Sequence, residues 1–528
     1  MPPEKKFTKK LSTEFSIDHS GLLGVTRDMT DRDDYSESRK IIADLRKEMS
    51  EEAKKGEIDK EAEFTETFQA HKEPKSKLAE DLIAYIRMRG PITLHDYIAQ
   101  TSNHIVHGYY QQNAEKIGSG GDFVTSPEIS QLFGEMIAVW LLSAWKSLGS
   151  PKNVNLVELG PGKGTLMKDI LRVISQFPEF RDAITVHMVE LSDAQRKLQR
   201  EAVGCPGEVT KTNGGITRMT NNDGIPISWY DSFSSVSNSD PVLLVAQEFL
   251  DVFPVHQFVY TNKGWREKLV DIDRSMESIY HFRQVVAVSE TPACKALLGG
   301  LGLSRIDDGN NLPTDETIDN DNKNDNKNEN EDKNDGVNVK TSESNNTANT
   351  VNTGSTASTA NTGSKGAVVT QLTEGDEIEV SPLALSSIEY ISKRVFANRG
   401  AVLLIDYGEQ FTQGDSLRAF KKHNQVSLYS EPGMVDITAD VDFSLCAKTA
   451  LKSGVKVHGS ITQGEFLMRM GIVDRVQNLI ELPSTSDEQA GEMVSSFRRL
   501  VGDGDGGLGK RFKVMSITDP ATEIEGFY

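Results

Sequence analysis

The sequence predicts an α/β fold of the Rossmann-like, nucleotide-binding type, and three observations predict it. A short apolar strand at 154–159 runs into Gly160-Pro161-Gly162-Lys163-Gly164 and then directly into a helix-forming run at 165–177. A second apolar strand, 184–191, carries Glu190 near its end, within the range after a glycine loop where such folds place an acid that accepts ribose hydroxyls. A further run, 242–246, is apolar at every position, as a strand buried on both faces must be.

The glycine loop has a physical logic. Gly160 permits a sharp turn at the strand end, Gly162 lets a ligand approach the backbone, and Gly164 lets the following helix pack close to the sheet. The unpaired N–H groups of that helix then face the ligand. The spacing narrows the choice. The dinucleotide fingerprint G-x-G-x-x-G requires glycine where Thr165 stands, and the P-loop fails because Lys163 is followed by Gly164. What remains is E-x-G-x-G-x-G with Glu158 on the strand, which resembles motif I of S-adenosylmethionine (SAM) methyltransferases. Taken alone, the loop is also the form of a tight strand-to-helix turn that holds no ligand.

The 528 residues suffice for two or three domains, or for one elaborated α/β domain. The hydrophobic fraction of 37% is low because two stretches read as unfolded. A net charge of −20 argues against electrostatic binding of nucleic acid and suits a basic substrate. Cys205, Cys294 and Cys446 are far apart and read as incidental thiols of a reducing compartment. No apolar run reaches the ~18 residues that span a bilayer. The N-terminus lacks a secretory apolar region. Its lysines are mixed with Glu4 and Glu14, and no arginine precedes Arg27, so it reads as a poor transit peptide.

Taken in order, residues 1–75 are polar and read as flexible; 37–63 can form a solvated helix but has no apolar stripe. Order is expected from Ser76, with Leu78, Leu82, Ile83 and Ile86 at helical spacing and Gly90-Pro91 as a stop. Thr93 and Asp96 have capping-box spacing. Gly118 to Ser126 is a polar glycine loop that either closes over a ligand or is plain surface. It leads to a helix capped by Ser126, with Pro127 and Glu128 suited to its first turn. Ile129, Leu132, Phe133, Met136, Ile137, Trp140 and Leu141 extend that helix with one buried face.

Beyond the second strand, 193–203 is helical and 225–230 is a third strand, followed by Asp231 where such folds often contact adenine. Gln247, Glu248 and Asp251 follow the fourth strand, at the sheet edge where ligands bind in open α/β folds. Two carboxylates three residues apart there can grip a cation or merely cap a turn. Residues 255–272 predict a hairpin about Asn262-Lys263-Gly264. Residues 304–365 are low-complexity and read as a disordered insertion, tolerated because loop closure costs grow slowly with length. The expected domain is therefore discontinuous, 76–303 with 366–518. Its second part predicts a strand at 377–380, a helix at 382–398 and a fifth strand at 401–407 ended by Gly408. A polar stretch with Arg418, His423, Asp436, Thr438, Asp440 and Asp442 follows. A strand at 455–458, helices at 461–470 and 487–500, a flexible stretch at 502–509 and a last strand at 512–517 complete the chain.

The order of the motifs GGDFVTSPEISQLFGEMIAVW, VELGPGKGTLMKDILR, AQEFLDVFPVHQFV, LLIDYG, LRAFKKHNQV and PGMVDITADVDF closely resembles the MidA-like family. These are SAM-dependent protein arginine methyltransferases, mitochondrial in eukaryotes, that assist assembly of respiratory complex I. The resemblance spans about 76–517 except the insertion, which is unusual for the family. It implies a class I methyltransferase core with added helical and strand elements for the substrate, SAM as cofactor, a complex I subunit as protein substrate and the mitochondrial matrix as location. By position, Glu158, Gly160, Gly162 and Gly164 would cradle SAM and Glu190 would hold its ribose. Gln247 stands where the family commonly has asparagine. Glu248 and Asp251 would fix the planar guanidinium and localise its charge away from the reacting nitrogen, with Asp442 or His423 as helpers. The alternatives are a SAM-binding assembly chaperone without turnover, a methyltransferase for another acceptor and, more distantly, a nicotinamide-dependent dehydrogenase.

Overall fold

The computed structural model describes residues 72–112, 124–205, 217–301, 372–411 and 414–527, apart from 74, 276 and 505. The readings of 1–71, of most of the 118–126 loop and of the 304–365 insertion lie outside the described residues.

Ser76 accepts the Ala79 N–H and opens α1 (Lys77–Arg89), which Gly90 ends. After β1 (Ile92–Thr93), the Thr93 hydroxyl accepts the Asp96 N–H at the start of α2 (Leu94–Asn103). The helix expected from Ser126 is divided. A single turn, Ser126–Ile129, stops at Ser130, whose backbone is extended. The Ser130 hydroxyl then caps α3 (Gln131–Ser147). Ser126 does not cap; its buried hydroxyl donates to Gln463 Oε1 at 3.0 Å.

β2 (Val154–Leu159), α4 (Thr165–Ile174), β3 (Ile184–Val189), α5 (Asp193–Ala202), β4 (Thr217–Thr220), β5 (Pro226–Tyr230) and β6 (Val242–Gln247) follow. The expected hairpin is β7 (His256–Thr261) with β8 (Gly264–Ile272), and β9 (Phe282–Val286) pairs with β8. The chain resumes with β10 (Glu377–Val380), α6 (Pro382–Asn398) and β11 (Gly400–Glu409). A small sheet of β12 (Arg418–Lys421), β13 (Asn424–Val426) and β14 (Asp436–Thr438) comes next, then β15 (Val441–Asp442) and α7 (Phe443–Leu451). The chain closes with β16 (Lys456–Thr462), α8 (Gln463–Arg469), α9 (Asp487–Val501) and β17 (Phe512–Thr518).

The main sheet runs β16-β17-β11-β6-β2-β3-β5-β4, with β15 alongside the end of β11. From β11 to β5 all neighbours are parallel. β17 enters antiparallel between β11 and β16. β2 and β6 are buried at every residue because both faces are covered. Alternation sorts them: Leu156, Leu243 and Leu403 pack with α3 and α4, whereas Val157, Leu244 and Leu404 pack with α6 and α7. A third core joins α1 and α2 to β8, β12 and β14. The segments on either side of 303–372 form one compact unit, with β10 paired to β7 and β11 paired to β6.

β16 runs on to Thr462, beyond the strand expected at 455–458, and two further differences have a clear physical cause. β11 does not end at Gly408 but continues to Glu409, because β15 pairs with it there. A Cβ on Gly408 would lie 2.1 Å from the Val441 carbonyl oxygen, so only glycine allows the two strands to meet. The stretch 502–509, expected to be flexible, folds back on the end of α9. Leu508 N–H donates to Arg499 O and Gly464 N–H to Gly509 O, both at 2.8 Å.

Candidate active site

A cavity of about 870 Å³ lies across the C-terminal ends of β2, β3, β6 and β11. Its position follows from the parallel register, which brings the loops after those strands to one edge. At one end are the glycine loop, Glu190, Asp231 and Phe233; at the other are Tyr110, Asp251, Arg418, Phe420, Asp436, Thr438 and Arg511. Glu158, Gln247 and Glu248 also line it.

The glycine loop turns through left-handed backbone at Gly160 (φ +62°) and Gly162 (φ +52°). Gly164 differs from its expected role: a Cβ there would lie 3.0 Å from Gln199 Cα, so it admits α5 close to the loop. Gln199, which sequence reasoning passed over, is fully buried and joins three parts of this wall. Its amide nitrogen donates to Gly162 O at 2.8 Å and Glu190 Oε2 at 3.1 Å, while its oxygen accepts from Trp229 Nε1 at 3.0 Å. Glu190 Oε1 accepts the Ser192 N–H at 2.8 Å. Burial raises the Glu190 carboxyl above its ordinary pKa against the pull of these hydrogen bonds. Arg196 Nε donates to the Glu190 carbonyl at 2.8 Å, and the same guanidinium pairs with Asp231 at 2.5 Å.

Three buried acceptor atoms on this cavity have no hydrogen-bond partner among the described residues: Glu158 Oε2, Gln247 Oε1 and Asp251 Oδ1. Such groups are costly unless something brings donors to them. Burial pushes the Glu158 carboxyl up to about 8. Glu248 is half-buried on the cavity wall; the loss of solvent around its carboxyl pushes it up to about 8, with Asp406 and Asp436 adding negative charge nearby. The Gln247 amide donates to Glu248 Oε1 at 2.9 Å. Glu248 adopts left-handed backbone (φ +50°), unusual for a residue with a side chain, and its N–H donates to Ile405 O at 2.9 Å. Burial and the charges of Asp406, Glu248 and Asp436 together hold the Asp251 carboxyl well above the usual range.

Asp406, within the LLIDYG motif, was read only as strand. Its Oδ2 accepts the backbone N–H groups of Phe249, Leu250 and Asp251 at 3.1, 2.8 and 3.3 Å, and Oδ1 that of Tyr407 at 2.9 Å. Burial raises it to about 7 while those four N–H groups lower it. The signal was available, since Asp406 lies near the C-terminal end of a buried strand as Glu190 does. Tyr110, whose hydroxyl donates to Asp436 Oδ1 at 2.7 Å, and Arg511, stacked 5.2 Å from the Tyr407 ring, gave no such signal.

The proposed helpers fall elsewhere. His423 is exposed at the turn between β12 and β13. Asp442 caps α7, accepting the Leu445 N–H at 2.9 Å, and does not line the cavity. Asp440 pairs with Arg418.

A parallel core with one antiparallel strand entering next to its edge strand, and a glycine-loop cavity over the strand ends, define a class I SAM-dependent methyltransferase. A family of S-adenosyl-L-methionine-dependent methyltransferases matches residues 136–461. The zebrafish (Danio rerio) protein arginine methyltransferase NDUFAF7, mitochondrial, is 32% identical over 446 residues, 83% of this chain and 86% of that protein. The human (Homo sapiens) protein of the same name is 31% identical over 458 residues, 86% of each chain. A Burkholderia thailandensis protein solved with S-adenosyl-homocysteine shares the fold, with a TM-score of 0.59 and 21% identity over 87% of this chain and 95% of that one. The chain belongs to the MidA-like family of SAM-dependent methyltransferases, and SAM is its cofactor.

Proposed function

We propose that the protein methylates a guanidinium nitrogen of a protein arginine in mitochondria, on a subunit of respiratory complex I, and so supports assembly of that complex. The observation that carries the acceptor reading is the unpartnered, buried Asp251 oxygen beside Glu248. A planar cation with several N–H donors satisfies such a pair, and guanidinium is the side chain with that form. The names of the relatives, protein arginine methyltransferase and mitochondrial, support acceptor and compartment. The complex I destination follows from the family resemblance.

At the other end, Gly160 and Gly162 form the cradle while Gly164 lets α5 pack behind it, Glu190 accepts ribose hydroxyls, and Glu158 with Gln247 offers the unpartnered oxygens that suit an amino group and a sulfonium. Bound SAM supplies an electrophilic methyl group. Glu248 and Asp251 hold the guanidinium in line, draw its positive charge away from the reacting nitrogen, and take up the proton released. Both carboxyls bind protons tightly while no cation is present, and an arriving guanidinium draws them to the ionised form.

The test is transfer of labelled methyl from SAM into a mitochondrial protein extract, followed by acid hydrolysis and amino-acid analysis. Label is expected in methylarginine and absent with Gly162→Val. Glu248→Gln is expected to bind S-adenosyl-homocysteine within about threefold of the parent and to lose transfer by about a hundredfold or more. Label in another residue would replace the arginine reading, and transfer surviving in Glu248→Gln would remove Glu248 from its role.

A further inference from the structure

The acceptor end of the cavity carries both signs of charge. β12 and β14 pair antiparallel with Arg418 opposite Thr438 and Phe420 opposite Asp436, and all four residues line the cavity. Between them on the same strands, Ala419 and Ile437 are buried in the third core, so alternation gives this small sheet one core face and one cavity face. The wall is continuous with the acceptor-side carboxylates: Ala439, which follows Thr438, donates its N–H to the Asp251 carbonyl at 2.9 Å. Arg511 enters the same end from another element. It stands just before β17, with its guanidinium 5.2 Å from the centre of the Tyr407 ring.

Two cations are out of place in a site shaped only for a guanidinium, because like charges at close range oppose its binding. Arg418 is only partly engaged. It pairs with Asp440, which does not line the cavity, and its Nε is buried with no hydrogen-bond partner among the described residues. Apart from the Tyr407 ring, Arg511 has no ion pair or side-chain hydrogen bond among the described residues. Loss of solvent around its guanidinium, and then the charge of Arg418, hold it below its ordinary pKa, with Asp440 and Tyr407 pulling the other way. Each guanidinium is a planar fork of donors with no acceptor, the form that takes a carboxylate through two hydrogen bonds.

We infer that Arg418 and Arg511 are specificity-determining residues that receive an acidic side chain of the protein substrate, an aspartate or glutamate within about two residues of the acceptor arginine. The inference rests on the proposal that Glu248 and Asp251 hold that arginine. The spacing follows from the wall: Asp251 meets Ala439, and Arg418 lies opposite the residue before it, a short reach for an extended peptide that advances ~3.3 Å per residue. A segment that brings both charges satisfies both sets of groups, whereas an arginine without a neighbouring acid meets the repulsion alone.

The test starts from the parent protein, SAM and a mitochondrial protein extract, with the methylated peptides sequenced by mass spectrometry. The methylarginine is expected to have Asp or Glu within about two residues. The methylated protein is then made with that acid changed to its amide, and both forms are assayed with the parent, Arg511→Gln and Arg418→Gln. On the acidic acceptor each variant is expected to lose about tenfold or more in kcat/KM, chiefly through KM. On the amide acceptor the parent is expected to lose as much, and the variants little more. Affinity for S-adenosyl-homocysteine is expected to stay within about threefold. Arg418→Gln leaves Asp440 without its partner; should that variant misfold, Arg511→Gln, which breaks no hydrogen bond, carries the test. A methylarginine with no acid nearby, or equal losses by Arg511→Gln on both acceptors, overturns the inference and leaves the arginine reading standing. So does a tenfold weaker affinity for S-adenosyl-homocysteine, which would place the cations on the cofactor instead. Absence of methylarginine from the products of the parent overturns the arginine reading beneath it.

Discussion

Glu158 is a carboxyl sealed at the end of β2 with one oxygen unpartnered among the described residues. Its folded pKa stands at about 8 against an ordinary 4.5, so the folded state binds its proton more tightly than the unfolded chain does. The stability this confers is complete below the unfolded value and is lost as pH rises through the folded one. The melting temperature of the ligand-free protein is accordingly expected to decline between about pH 5 and about pH 8, and Glu158→Gln to decline less steeply. Scanning fluorimetry across that range checks it; parallel profiles would mean that Glu158 is ionised throughout. At this scale the sequence was informative about residue type and place. Glu158, Glu190, Gln247, Glu248 and Asp251 all line the cavity, because each lies at or just beyond the C-terminal end of a strand that an apolar run identifies. Asp406 shares that place at a strand end, but its role, like that of Gln199, is invisible locally. Their roles are hydrogen bonds to backbone and side chains remote in sequence, and no local pattern encodes the partner.

Among the elements, β15 and α7 show how a site-like residue becomes a structural one. Asp442 follows a polar run and looked like a candidate helper, yet it ends β15 and caps α7. Asp442→Ala is expected to cost about 1 kcal/mol in urea denaturation and to leave methyl transfer unchanged. A tenfold loss of transfer would return Asp442 to the chemistry. Helix and strand bodies were legible because apolar periodicity reports burial directly, as in α6 and β6. Boundaries were less so. Ser126 has every local feature of an N-cap, but its hydroxyl is engaged by Gln463, 337 residues away, and Ser130 caps the long helix instead. Gly408 has the look of a strand end, but it is the residue that lets β15 approach β11.

For the whole molecule, the cavity is assembled from two stretches of chain separated by residues 303–372. Glu158, Glu190 and Glu248 come from before it; Tyr407, Arg418, Asp436 and Arg511 come from after it. We propose that residues 304–365 serve as a loop insertion. Shortening them to about ten residues is expected to raise stability by about 1–2 kcal/mol, since loop-closure entropy changes only logarithmically with length, and to leave transfer unchanged. Loss of folding or of transfer would show that the segment takes part in one or the other. From the sequence alone came the Rossmann-like class, the glycine loop, the positions of the main strands along the chain and the family, since each is written in local periodicity and in motifs of adjacent residues. Only the tertiary structure decided that β17 lies antiparallel between β11 and β16, that Gln199 and Asp406 brace the walls of the site, and that Thr165 meets Glu128 of the Ser126–Ile129 turn. Those facts depend on which distant backbone groups meet in space, and pairing of that kind leaves no periodic trace in the chain.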